Sequence, residues 1–177
     1  MIKEIIIHHT GVSRKIQPYQ AWTVNNYHKE KFNMLSSLGF YGGYTYLIEP
    51  TGYLVQYRRD TEEGAHTKGH NFHSIGICLT GNFCVEMPTD AQVNTLRKLL
   101  LDKLAQYNLT ALNIFNHKDF GDTVCPGDFI IQGWGRCLVD PLPLPAYDEQ
   151  KMDGLLEQKL TLIQKILELL KQLRDLV

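Results

Sequence analysis

The sequence is short of three features that identify large classes of proteins. Lysine and arginine number 18 against 19 aspartates and glutamates, so no excess of positive charge indicates nucleic acid or an anionic membrane as partner. No run of about 18 apolar residues predicts a transmembrane segment. The N-terminus, with Lys3 and Glu4 before a short apolar run, lacks the long apolar region of a signal peptide. We therefore expect a soluble protein that accumulates in the cytoplasm and recognises its partner through a localised site.

Cysteine is also scarce. Four cysteines in 177 residues are too few and too irregularly spaced for a disulfide scaffold. Cys78 lies in the apolar stretch SIGICL, which favours a buried small side chain, although a strained pair with Cys84 is an alternative. Cys125 lies in the polar, glycine-containing stretch NHKDFGDTVCPGD, where it could be a free thiol, half of a disulfide, a nucleophile or a metal ligand.

The pattern of apolar residues predicts one α/β domain, in which a central mixed β-sheet is flanked by helices. A hydrophobic content of 44% in 177 residues is enough for one core. Strands are predicted at residues 3–8, in SIGICL, in ALNIFNH and in a hairpin that turns at Pro50-Thr51-Gly52. Helices are predicted over residues 17–32 and from the N-cap Thr89 to about Tyr107, the second one burying Val93, Leu96, Leu100 and Leu104.

The composition changes after this domain. Residues 139–147 contain three prolines and read as a stiff linker, which separates a domain at 1–138 from a tail at 148–177. Leucines and isoleucines of the tail follow heptad spacing and predict a C-terminal α-helix of roughly 25 residues. Because its apolar face is wide, we expect the tail helix to self-associate or contact the cell envelope. Docking onto its own domain is the alternative.

Two histidines and one cysteine stand at strand ends or in the loops that follow them. His8 ends the first strand, His117 follows a later strand, and Cys125 lies eight residues beyond His117. Two imidazoles and a thiolate suit zinc, and three protein ligands leave a fourth position for water. Spacing alone also allows a hydrogen-bonded strand-end histidine and an unligated loop thiol.

Four motifs resemble one known family in order and spacing. They are IIIHHTG, GGYTYLIEPTGYLVQYR, GAHTKGHNFHSIGICLTGNF and NHKDFGDTVCPGDF, and together they extend from Ile2 to about Leu138. The chain in this region resembles the type 2 N-acetylmuramoyl-L-alanine amidases, which include the T7-type phage lysozymes and the peptidoglycan recognition proteins. The resemblance implies the fold of that family for the domain at 1–138 and does not extend past the proline-rich segment.

The resemblance also implies a set of site residues. The family's zinc ligands fall on His8, His117 and Cys125, and its active-site tyrosine falls on Tyr44. Thr123 occupies the position of a lysine in T7-type lysozymes and matches the recognition-protein branch, so a hydroxyl replaces a positive charge there.

The implied reaction is hydrolysis of the amide between N-acetylmuramic acid and the L-alanine of the stem peptide, with Zn²⁺ activating the water. The sequence contains no HExxH motif to supply a glutamate base, so Tyr44 and Thr123 are expected to position water or stabilise the oxyanion. His66 matches a family position beside the substrate groove, and Asn71 matches the asparagine of the family's YN or HN step; both are expected to bind substrate. The alternatives for His66 are support of a metal ligand and a loop histidine held by backbone hydrogen bonds, and the alternative for Asn71 is shaping of the loop. His28, His70 and His73 are weaker candidates.

Bacterial peptidoglycan is the implied partner. A phage or prophage endolysin, held in the host cytoplasm before release to the cell wall, fits both the expected activity and the N-terminal sequence. The main alternative is a recognition module of the same fold that binds peptidoglycan without cleaving it. A cytosolic recycling amidase is disfavoured because such relatives carry aspartate at the position of Cys125. A protein whose tail recruits a partner, such as a polymerase, is a more distant alternative.

Overall fold

The computed structural model describes residues 1–140 and 164–165 of the chain. The chain divides into two units, Met1–Pro141 and Leu142–Val177. Of the second unit, Gln164 and Lys165 are described as helical and exposed, and the rest of the predicted linker and tail helix lies outside the described residues. Within the described residues, no helix combines the length and apolar character needed to cross a membrane.

The first unit is built on a mixed five-stranded sheet, as predicted. Its spatial order is β3-β2-β4-β1-β5, in which β2 and β3 form an antiparallel hairpin and the other neighbours are parallel. The strands are β1 (Glu4–His9), β2 (Tyr46–Ile48), β3 (Leu54–Gln56), β4 (Ser74–Leu79) and β5 (Ile114–Asn116).

The central strands β1 and β4 are buried along their whole length, which explains their nearly continuous apolar sequences. Side chains alternate between the two faces of the sheet. Ile5 and Ile7 point to the main core. Residues 4, 6 and 8 are the alternate positions of the strand, so the side chains of Glu4, Ile6 and His8 point to the opposite face. One face of the sheet therefore packs on the main core, and the other carries polar groups such as His8 beside a smaller apolar cluster of Leu47, Tyr57 and Cys78.

Within residues 1–140, three α-helices accompany the sheet: α1 (Ala21–Phe32), α2 (Asp90–Tyr107) and α3 (Trp134–Val139). Helix α2 begins as predicted, with Thr89 and Gln92 forming a reciprocal capping box. Leu96, Leu100 and Leu104 are buried, but Val93 is only half-buried. Burying each such leucine contributes about 1.5–3 kcal/mol, so this face fixes α2 on the core.

Helix α1 begins four residues later than the sequence predicted, at Ala21 instead of Gln17. Its N-terminal amides are capped by a distant residue, because Glu49 Oε1 accepts hydrogen bonds from the backbone nitrogens of Gln20 (2.9 Å) and Ala21 (2.6 Å). A carboxylate at a helix N-terminus is favourable both as an acceptor and as a charge. Sequence reasoning missed this start because the cap is supplied from the end of β2.

Candidate metal centre

The three predicted ligands lie together at one edge of the sheet. His8 lies near the carboxyl end of β1, and His117 directly follows the neighbouring parallel strand β5. Parallel strands end at the same edge, which brings the two imidazole rings to a centroid distance of 4.6 Å. Cys125 reaches the same point from the following loop, and the ligand atoms of the three residues all lie within 4.8 Å of one another.

The loop that carries Cys125 is fixed at several points. The backbone oxygen of Cys125 accepts a hydrogen bond from the Lys118 nitrogen (2.8 Å), and the backbone nitrogen of Cys125 donates to Thr123 Oγ1 (3.2 Å). Gly127, at φ 110°, packs so closely on the Phe83 backbone that a Cβ there would overlap it. Cys125 is therefore presented by a loop whose turn requires glycine.

The spacing fits a tetrahedral cation. His8 Nδ1 lies 3.7 Å from Cys125 Sγ. With Zn–N about 2.0–2.1 Å and Zn–S about 2.3 Å, tetrahedral nitrogen and sulfur ligands are separated by about 3.6 Å. The residues present can therefore hold a metal ion of this size without a large rearrangement.

Electrostatics at the site favour neutral imidazoles. Burial lowers the pKa of His8 well below its ordinary value, with nearby histidines adding to the effect, and burial also lowers the pKa of His117. Burial raises the pKa of the Cys125 thiol to about 12, although the hydrogen bond that the His9 amide donates to Sγ (3.4 Å) acts in the opposite direction. A bound cation would lower the pKa of the Cys125 thiol, because coordination stabilises the thiolate.

His66 supports His8 from the side opposite to Cys125. His8 Nε2 lies 3.1 Å from His66 Nδ1 and 3.4 Å from Thr67 Oγ1, so both nitrogens of His8 have defined partners. Such a contact orients a metal-binding imidazole and fixes its tautomer. The His66 ring lies over Gly76, where an added Cβ would be 2.7 Å from the ring.

Asn71 organises the loop that carries His66. Its Oδ1 accepts hydrogen bonds from the backbone nitrogens of His66 (2.9 Å) and Thr67 (2.8 Å). These contacts agree with the loop-shaping alternative for Asn71 and with the ligand-supporting alternative for His66. Substrate contact by either residue stays a prediction.

Tyr44 lies beside the predicted ligands, with its ring centroid 5.1 Å from that of His8. Burial raises the pKa of its hydroxyl well above the ordinary value, with Cys78 and Cys125 adding to the effect, so the group is a hydrogen-bond donor at neutral pH. His28 was a weak candidate from the sequence, and it contacts the segment that carries Tyr44. Its Nδ1 accepts a hydrogen bond from the Gly43 nitrogen (2.7 Å), and the centroid of its ring lies 5.2 Å from that of Tyr44.

The remaining candidates occupy other positions. His9 points to the other face of the sheet, where its Nδ1 accepts a hydrogen bond from the Phe83 nitrogen (3.1 Å). The hydroxyl of Thr123 accepts from the Cys125 amide, so its oxyanion role stays a prediction. The alternative disulfide between Cys78 and Cys84 is absent, since both cysteines are free.

A cavity of about 350 Å³ lies between the segment that follows β1 and helix α1, and none of the three predicted ligands lines it. Thr10, two residues after His8, contributes to its wall, together with Val12, Gln20 and the α1 residues Val24 and Tyr27.

Comparison with known proteins places these features in one family. The sequence profile of the N-acetylmuramoyl-L-alanine amidases matches residues 1–128. An endolysin of Enterobacteria phage T3 is 30% identical over 139 residues, which cover 75% of this chain and 86% of the endolysin.

A human N-acetylmuramoyl-L-alanine amidase is 29% identical over 114 residues, or 62% of this chain. The matched part makes up 20% of the human protein, so the chain spans about a fifth of the length of that relative. Among solved structures, the N-acetylmuramoyl-L-alanine amidase LysC from Clostridium intestinale URNW superposes with a TM-score of 0.59 at 30% identity. The superposition covers 72% of this chain and 77% of LysC.

Proposed function

The chain belongs to the N-acetylmuramoyl-L-alanine amidase family, and from this premise we propose that it hydrolyses the amide between N-acetylmuramic acid and the L-alanine of the stem peptide in bacterial peptidoglycan. The observation that carries the proposal is the convergence of His8, His117 and Cys125 at one edge of the sheet. Relatives named as endolysin and as amidase support the same activity.

The metal proposed for the site is zinc. Two neutral imidazoles and one thiolate form a donor set that zinc prefers, and the separation of 3.7 Å between His8 Nδ1 and Cys125 Sγ suits its tetrahedral geometry. When bound, zinc supplies a hydroxide nucleophile at neutral pH and polarises the substrate carbonyl. Within the described residues, His8, His117 and Cys125 would hold the ion, and a set of three protein ligands would leave room for water or for the carbonyl oxygen.

The residues around the three predicted ligands orient His8 and supply hydrogen bonds for the negative charge that develops in the reaction. His66 holds His8 with Nδ1 directed at Cys125, which keeps the ligand in a single tautomer. Burial keeps Tyr44 protonated, so its hydroxyl would be able to donate a hydrogen bond to the oxygen that becomes negative in the tetrahedral intermediate. The Thr123 hydroxyl already accepts a hydrogen bond from the Cys125 amide and retains its own hydrogen for a second donation.

The alternative function is a peptidoglycan recognition module that binds without cleaving. Two features favour hydrolysis over binding alone. All three predicted ligands are present and close to one another, and Tyr44 lies beside them with a protonated hydroxyl. A pure binding module has no need of this combination.

The proposed biological role is that of a phage or prophage endolysin. It rests on the similarity to the phage T3 endolysin, which this chain matches over 86% of that protein's length. In this role the protein waits in the host cytoplasm and degrades the cell wall after release.

Mass spectrometry of digested peptidoglycan tests the proposal. The protein is incubated with purified peptidoglycan as prepared, after treatment with a zinc chelator, and after zinc is restored. We expect stem peptides with a free L-alanine amine in the first and third samples and none in the second. Glycan fragments cut at glycosidic bonds, or binding without any released peptide, would contradict the proposal.

A further inference from the structure

A second group of metal-binding side chains lies on the same sheet face, at the opposite end of β1. The Glu4 side chain, only 11% exposed, places Oε1 at 2.6 Å from His70 Nδ1 and 3.0 Å from His73 Nε2. The ligand atoms of the three residues lie within 4.8 Å of one another. Glu4 and His8 are four residues apart on one strand, which puts their Cα atoms about 13 Å apart.

The donor set suits a divalent transition metal. Two histidines and one glutamate form one of the combinations that bind zinc, and the carboxylate provides negative charge. Tetrahedral ligands at about 2.0–2.1 Å from zinc are separated by about 3.3 Å, so the present contacts of 2.6 and 3.0 Å need to open by less than 1 Å. The His70 and His73 side chains are 28% and 30% exposed, which leaves a path for the ion and space for water ligands.

The three side chains are held in place by the fold. The His70 ring contacts that of Phe120 in a tilted arrangement at a centroid distance of 3.9 Å, and Phe120 packs in turn on Phe115 of β5. The carbonyl of His73 accepts a hydrogen bond from the Lys3 nitrogen (2.8 Å), which fixes it beside the start of β1. Pre-positioned ligands lower the ordering cost of binding.

We infer that Glu4, His70 and His73 form a second site for a divalent cation of the zinc type, distinct from the His8, His117 and Cys125 centre. The second site joins the start of β1 to the loop between His66 and Ser74. Its role is structural, because the ion fastens a loop that is otherwise held to β1 by hydrogen bonds, including the contacts of Glu4 with His70 and His73.

A chain of contacts connects the second site with the ligand His8. Ser74 Oγ donates to the His70 carbonyl (2.6 Å) and lies 3.3 Å from His66 Nε2. His66 Nδ1 in turn lies 3.1 Å from His8 Nε2. Fastening the loop at His70 therefore also steadies the histidine that orients His8.

Metal stoichiometry tests the inference. The full chain is stripped with a chelator, dialysed against zinc chloride and analysed for zinc per protein by elemental mass spectrometry. We expect two equivalents for the wild type, one for Glu4→Gln, one for His73→Gln and one for Cys125→Ser. Glu30→Gln, an exposed glutamate on α1, is the matched control and should retain two.

Cobalt distinguishes the two sites independently of activity. Cobalt bound at Cys125 gives thiolate-to-metal charge transfer, whereas the second site lacks sulfur. His73→Gln should keep this band while losing one equivalent, and Cys125→Ser should lose the band while keeping one. A wild type that binds a single equivalent, or a folded His73→Gln variant that still binds two, would overturn the inference.

Discussion

Cys125 acquires its chemistry from its neighbours. On its own it is a thiol whose pKa burial raises to about 12, and such a group is a poor nucleophile at neutral pH. Beside His8 and His117, which burial keeps neutral, it completes a donor set for a soft cation. The spacing of residues in the sequence left several roles open for Cys125. The pairing of β1 with β5 brings His8 and His117 to it, and that pairing cannot be read from the spacing.

Replacing Cys125 by serine should remove the metal from this centre while leaving the fold intact. The zinc affinity of the site should fall by more than about 100-fold, since loss of a residue that merely orients a ligand already costs about 10–100-fold. Competition with a chromophoric zinc chelator measures the affinity, and circular dichroism checks the fold. Cys137→Ser is the control, because Cys137 is exposed and should leave the affinity unchanged. Equal affinities in the two variants would refute the assignment.

Replacing Tyr44 by phenylalanine should separate metal binding from turnover. The variant should retain zinc but lose about 100-fold in kcat, the typical effect of removing one oxyanion donor. Kinetics on a soluble muropeptide measure the effect, with Tyr53→Phe as control because Tyr53 is 69% exposed. A kcat equal to that of the wild type would exclude Tyr44 from the reaction.

At the scale of elements, the strands and α2 could be predicted because their signals are local. Apolar runs define β1 and β4, and the Thr89 capping box defines the start of α2. The start of α1 could not be predicted in the same way, because its capping carboxylate comes from Glu49. The Glu4, His70 and His73 cluster was missed for a similar reason, since the pairing of β1 with β4 brings these distant residues together.

The loop of Cys125 should be sensitive to substitution at Gly127. Gly127→Ala should lower the free energy of unfolding by at least about 2 kcal/mol, from backbone strain at positive φ and from overlap of the new Cβ with Phe83. Urea unfolding measures the change. Gly121→Ala in the same loop is the control, because its Cβ would meet no atom of the described part of the chain within 4 Å. Similar losses in both variants would show that the turn does not depend on Gly127.

At the scale of the whole molecule, residues 1–140 combine two clusters of buried apolar side chains with several buried or half-buried histidines. Burial lowers the pKa of His9 and His28 to about 4 and that of His66 to about 3, so each is neutral in the folded protein at neutral pH. The family resemblance located the predicted ligands, but it did not identify the contacts of His28 with the Tyr44 segment or of His70 with Glu4 and Ser74. Those contacts depend on packing between segments far apart in the sequence.

The buried histidines predict acid sensitivity of the zinc-free protein. Unfolded histidines take up protons below a pH of about 6.5, whereas His9, His28 and His66 remain neutral in the fold down to about pH 4 or 3. The free energy of unfolding should therefore decrease as the pH falls from about 6.5 to 4, by about 1.4 kcal/mol per pH unit for each such proton. Urea titrations across this range measure how steeply the free energy of unfolding changes with pH. His28→Gln should reduce this slope by the contribution of one proton, about 1.4 kcal/mol per pH unit. A flat profile would contradict the account.

X-ray absorption at the zinc edge tests the central claim most directly, that His8, His117 and Cys125 hold the catalytic metal. The spectrum is recorded on His73→Gln protein loaded with one equivalent of zinc, so that the second site does not contribute. The account predicts one sulfur neighbour at about 2.3 Å, with nitrogen or oxygen neighbours at about 2.0–2.1 Å. A coordination shell without sulfur would contradict it.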